Sequence, residues 1–215
     1  DVSGRKDWSG ILNEDKNSHF YPSVALSWLA SSTFKLPEFI NLFKLRAGLA
    51  QVGHGIGTPR SNYTFGFSSI NYGDTKIVNI GGKLVDPDIK VEVTTSYELG
   101  TDLAFFDRRV TAEFTVYKKI HDNQIGTIPT SPGIGYGGME TNVGTVEANG
   151  YEFSLGFNPV RTKDWNWDLG FNFSKVESEI TKLSPEYVPN GYTFYGNGPN
   201  VDIRLAVGEK IGTLW

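Results

Sequence analysis

Apolar and polar residues alternate one for one in six separate stretches of the chain. Phe20, Val24, Leu26 and Trp28 alternate with Tyr21, Ser23, Ala25 and Ser27, and Phe43, Leu45, Ala47 and Leu49 with Lys44, Arg46, Gly48 and Ala50. Tyr97, Leu99, Thr101, Leu103 and Phe105 are interleaved with Glu98, Gly100, Asp102 and Ala104. The same spacing puts Val110, Ala112, Phe114 and Val116 opposite Thr111, Glu113, Thr115 and Tyr117, and Tyr151, Phe153, Leu155 and Phe157 opposite Glu152, Ser154, Gly156 and Asn158. In the last stretch Trp165, Trp167, Leu169, Phe171 and Phe173 alternate with Asn166, Asp168, Gly170, Asn172 and Ser174. Period two is the mark of a strand with one apolar face, and every charge inside these stretches falls on the polar parity. The pattern predicts an all-β, antiparallel fold.

Both a soluble sandwich and a membrane barrel have one apolar face per strand, so the connections have to separate them. Asp107-Arg108-Arg109 and Pro159 to Asp164 are short; Ala30 to Leu42 falls on the same side, with room for a helical turn around Pro37 to Asn41. Val52 to Val93, His121 to Glu147 and Lys182 to Arg204 read as long loops rich in Gly, Pro and Asn. Short turns at one rim and long loops at the other belong to an outer-membrane barrel, whereas a sandwich has turn signals every ~8–12 residues at both ends. Trp28, Phe43, Phe105, Phe106, Phe157, Trp165 and Trp167 lie beside the short turns, and Phe20, Tyr97, Tyr117 and Tyr151 at the opposite strand ends. Two aromatic girdles are what the two membrane interfaces select.

Composition trims the alternatives. With 39% hydrophobic and 13% aromatic residues the chain is too apolar for disorder. A net charge of -4 gives no basic footprint for nucleic acid. The absence of Cys removes disulfides and thiolate chemistry. No run approaches the ~18 apolar residues of a membrane helix, and Asp-Val-Ser-Gly-Arg-Lys at the start is not a signal peptide.

Four stretches carry a family resemblance. Phe20 to Trp28 is similar to a "YFPSVSLGW" strand, and Asn41 to Gly48 to "NLKLRASYG". Asp86-Pro87-Asp88-Ile89-Lys90-Val91-Glu92 running into Ser96 to Asp102 is similar to "NPDLKWE…YELGLD", and Asn142 to Glu152 to "NVGSVRNKGVEL". In this order and spacing they resemble the SusC/RagA-like branch of the TonB-dependent outer-membrane receptors. The resemblance covers nearly the whole chain, most weakly in Val52 to Lys83 and Glu186 to Asp202. It implies a bacterial outer-membrane barrel of about 22 strands, of which residues 1–215 would supply about seven to eight. It further implies uptake of an oligosaccharide or peptide, a SusD-like surface lipoprotein, and TonB acting through a plug domain. No cofactor is implied. The chain itself shows no plug or TonB-binding segment. It is expected to open in an extracellular loop and to end partway into a strand near Ile211 to Trp215. Two other readings remain open on the residues alone: a soluble carbohydrate-binding β-sandwich, and a small self-contained outer-membrane barrel.

Candidate chemistry is sparse. Gly133-Ile134-Gly135-Tyr136-Gly137-Gly138 fits G-x-G-x-x-G, but Pro132 precedes it and a strand pattern follows, so it reads as a loop and not a phosphate cradle. Asp86-Pro87-Asp88 lacks the further oxygen donors of a calcium loop and reads as a turn leading into a strand. Glu98 and Asp102 share a strand face, but no carboxylate has the apolar pocket that would tune it as a glycosidase acid. No Ser-His-Asp arrangement emerges around His19, His54 or His121, so no enzyme activity is expected. Lys44, Arg46, Glu98, Asp102, Glu113, Glu152 and Asp168 are expected to line a hydrated lumen. Tyr63, Phe65, Phe67, Tyr72, Tyr136, Tyr187, Tyr192, Phe194 and Tyr195 fall in long connections. Among them Tyr63, Tyr72, Tyr136 and Tyr195 are the candidate ligand or lid contacts, because rings in surface clefts stack while their hydroxyls hydrogen-bond.

Overall fold

A computed structural model of the chain describes residues 1–10, 12, 16–54, 65–80, 82–186, 188, 192–195 and 202–210. The six alternating stretches form β2 (Ser18–Leu29), β3 (Ile40–His54), β7 (Glu92–Phe105), β8 (Val110–Ile128), β9 (Met139–Arg161) and β10 (Asn166–Leu183). With β1 (Val2–Trp8) they build one antiparallel sheet in the order β1-β2-β3-β7-β8-β9-β10. A short β6 (Leu84–Val85) lies parallel to the start of β9. Two hairpins stand off the sheet: β4 (Phe65–Tyr72) with β5 (Thr75–Ile80), and β11 (Tyr192–Tyr195) with β12 (Asp202–Leu205).

Through the middle of the sheet the register keeps the parities in line. Leu26 pairs with Ala47, Ala47 with Leu99, Leu99 with Val116 and Val116 with Tyr151, an apolar row five strands wide. On the opposite face Lys44 pairs with Asp102, Asp102 with Glu113, Glu113 with Ser154 and Ser154 with Asn172. A slip of one residue in any strand would bring charge into the apolar face. From Tyr97 to Phe105 that face runs eight residue steps without a charge. At about 3.3 Å per residue and the usual strand tilt this is a band about 20 Å high.

The conventional core lies elsewhere. Large side chains of the band, such as Leu99, Leu169 and Phe171, are exposed, while Ile89, Val93, Ile128, Thr141, Ala148 and Ile180 are buried at the loop end of the sheet. There β8 and β9 run on well past the band. They are 19 and 23 residues long, where about 9–11 suffice to cross a membrane. Above the band the apolar face becomes charged, with Lys118 paired to Glu147 at 2.5 Å and Glu177 bridged by Lys175 and Lys210.

Several expectations need correction. The chain does not open in a loop: Val2–Trp8 is a strand, paired with β2 from Val2↔Val24 to Trp8↔Ser18. The helical turn is α1 (Ala30–Thr33), not Pro37 to Asn41; Trp28 Nε1 ties it by donating to Thr33 Oγ1 at 2.9 Å. The long connections contain ordered strands, since His121 to Ile128 and Met139 to Glu147 are the extensions of β8 and β9. Tyr117 lies on the polar face, not in the upper girdle. Residues 211–215, expected to enter a strand, are outside the described residues. Gly133 to Gly138 does form a loop, with a 3-10 turn at Pro132–Ile134 and a strand after it.

Candidate functional site

The polar face of β3, β7 and β8 carries a ladder of ion pairs. Lys44 Nζ lies 3.2 Å from Asp102 Oδ2, and Arg46 Nη2 lies 2.9 Å from Asp102 Oδ1. Arg46 Nη1 approaches Glu98 Oε1 at 3.8 Å, and Nη2 also donates to Thr115 Oγ1 at 3.4 Å. Cross-strand pairing produces this arrangement directly: Lys44 sits opposite Asp102, and Arg46 sits opposite Gly100, between Glu98 and Asp102. Gly100 matters because its missing side chain leaves room for the guanidinium; a Cβ there would lie 3.1 Å from Arg46 Nη2.

Glu113 and Glu152 share this face but not the ladder. They line a shallow polar depression of about 370 Å³ with Thr115, Ser154, Asn172 and Ser174. Asp168 is apart from both. It sits at a register shift between Trp167 and Leu169, where the side-chain amides of Asn158 and Asn166 donate to its two oxygens. Thus Lys44, Arg46, Glu98 and Asp102 come together, Glu113 and Glu152 form a second group, and Asp168 belongs to the short-turn rim.

At the opposite rim a strap, residues 83–92, is fastened across the extensions of β8 and β9. Asp86 is buried: its Oδ2 accepts from Thr141 Oγ1 at 2.5 Å and its Oδ1 accepts the Asp88 N–H at 2.8 Å. Lys83 Nζ reaches Glu140 Oε1 at 3.3 Å and Thr127 Oγ1 at 2.7 Å. Asn142 clasps the Lys90 main chain, accepting its N–H at 2.8 Å and donating to its carbonyl at 3.0 Å. Glu92 Oε1 accepts the Ile125 N–H at 2.7 Å. Lys16 from the β1–β2 connection bonds Asp88 and holds that carboxyl below its ordinary range, through the hydrogen bond first and the charge second. Asp86-Pro87-Asp88 is therefore a structural turn, and among the described residues no group of three or more His, Asp or Glu is placed to hold a metal ion.

The loop aromatics divide. Tyr72 is 83% exposed near the tip of the β4–β5 hairpin, and Phe67 is exposed on the same strand. Tyr136 is half-buried, and its carbonyl accepts from Thr130 Oγ1 at 2.8 Å. Tyr63 and Tyr187 lie outside the described residues, as do the side chains of Phe65, Tyr192, Phe194 and Tyr195. Sequence reading put Tyr21 and Tyr117 on the polar parity but missed the side chains that join them there. His19 and Tyr21 pack at 4.7 Å, Lys119 stands over the Tyr117 ring at 4.9 Å, and His121 Nδ1 bonds Thr94 Oγ1 at 2.8 Å. Their period-two spacing, 19 with 21 and 117 with 119 and 121, was the signal that would have found them.

The profile of the family described as "TonB dependent receptor-like, beta-barrel" matches residues 1–211. The chain belongs to the TonB-dependent receptors. Its relatives include TonB-dependent receptor P39 of Formosa agariphila, 32% identical over 100% of this chain and 20% of the relative. TonB-dependent receptor SusC of Bacteroides thetaiotaomicron is 28% identical over 96% of the chain and 20% of the relative. Among solved structures, the RagAB peptide transporter superposes with a TM-score of 0.81 at 20% identity, over 96% of this chain and 22% of that one. The RagAB peptide importer in its closed-closed state gives 0.80 at 19% identity, with the same coverage. The chain spans about a fifth of the length of these proteins. It is a SusC/RagA-like piece of a TonB-dependent receptor barrel, a fold of the bacterial outer membrane and of a family that is not enzymatic.

Proposed function

We propose that the chain is part of the wall of a receptor that imports an oligosaccharide or a peptide. In this reading a SusD-like lipoprotein covers the receptor and TonB drives it through a plug domain. The contrast between the two sheet faces carries the reading. One face is charge-free over a band about 20 Å high and meets outer-membrane lipid. The other, with Lys44, Arg46, Glu98, Asp102, Glu113, Glu152 and Asp168, is the hydrated lumen wall. Charges that cost several kcal/mol against lipid cost little against water. The RagAB relatives, described as peptide importers, support the transport class.

Selection of substrate falls to the loop aromatics Tyr63, Tyr72, Tyr136 and Tyr195, residue types whose rings stack and whose hydroxyls hydrogen-bond. The test is single replacement of each by Ala in the full-length receptor, with ligand affinity and lipoprotein association measured separately. A stacking ring costs about 0.5–1.5 kcal/mol of ligand affinity when removed; a lid contact weakens association instead. If all four leave both quantities unchanged while Asp102→Ala abolishes uptake, selection lies in the lumen wall and the loop reading fails.

A further inference from the structure

We draw no further inference here: the strongest candidate, the polar depression that Glu113 and Glu152 form with Thr115, Ser154, Asn172 and Ser174 on the inner face of β8, β9 and β10, is a pair of exposed carboxylates among hydroxyls and an amide, and nothing in the structure shows what covers it.

Discussion

The hydroxyl end of the Tyr117 ring sits over Gly150 on the neighbouring strand, so close that a Cβ at residue 150 would lie 2.4 Å from its Cζ and 2.5 Å from its oxygen. An aromatic covering a strand glycine protects exposed backbone and pins register. Gly150→Ala should therefore cost about 1–3 kcal/mol, the usual range for overpacking. Adding Tyr117→Ala should recover part of that loss. Urea unfolding of the refolded full-length receptor in lipid measures both.

Arg46 holds Asp102 and Glu98 together from opposite Gly100, and Asp102 is only 18% exposed. Arg46→Ala leaves Asp102 with Lys44 alone. With the Arg46 side chain 33% exposed, solvent screening keeps the expected loss to about 1–2 kcal/mol. Asp102→Asn should cost less, since the amide keeps one acceptor for the guanidinium. High salt should narrow the difference between wild type and Arg46→Ala.

The turn between β7 and β8 places three consecutive residues, Phe106, Asp107 and Arg108, at φ of 53°, 53° and 62°. Left-handed backbone is unfavourable for residues with a Cβ by roughly 1–2 kcal/mol each. Arg108→Gly relieves one of these while loosening the unfolded chain, for a net gain of up to about 1 kcal/mol in unfolding free energy. Arg108→Val, β-branched at the same φ, should lose stability in the same assay.

Asp88 is held below the ordinary carboxylate range by Lys16. A depressed folded pKa means that the pair's contribution is present above the unfolded pKa of about 3.9 and fades as pH falls through the folded value. Lys16→Ala should return the Asp88 titration to the ordinary range, followed by NMR of labelled aspartate carboxyls. Both side chains face water, so stability at neutral pH should not change measurably.

The spanning parts of the strands were legible because lipid and water on opposite faces leave a strict period of two. Six of the seven strands of the main path follow from it, with faces assigned as Leu99 against Asp102 and Phe171 against Asn172 show. Val2–Trp8 was not legible: Ser3, Gly4, Arg5, Lys6 and Asp7 separate its two apolar ends, and only pairing with β2 makes it a strand. The extensions of β8 and β9 were read as loops because strands outside the membrane need no apolar face. Asn123 at φ 57° and a register shift between His121 and Gln124 interrupt the alternation there. The ladder of Lys44, Arg46 and Asp102 was legible as a face, but its bonding depends on which strands are neighbours. β3 pairs with β7 across a connection of 37 residues, and no local pattern encodes that.

The strap across β8 and β9 also makes a lever of them. Asn142 and Glu92 grip main-chain groups, so the two extensions and residues 83–92 resist being peeled apart even where salt would dissolve an ion pair. A pull on the tip near Pro132–Ile134 is then carried as tension down both strands into the membrane-spanning sheet. There it meets the interstrand hydrogen bonds loaded in shear, all sharing the force at once. Whatever binds at that tip acts on the wall as on a stiff handle, and the wall is the part that must yield.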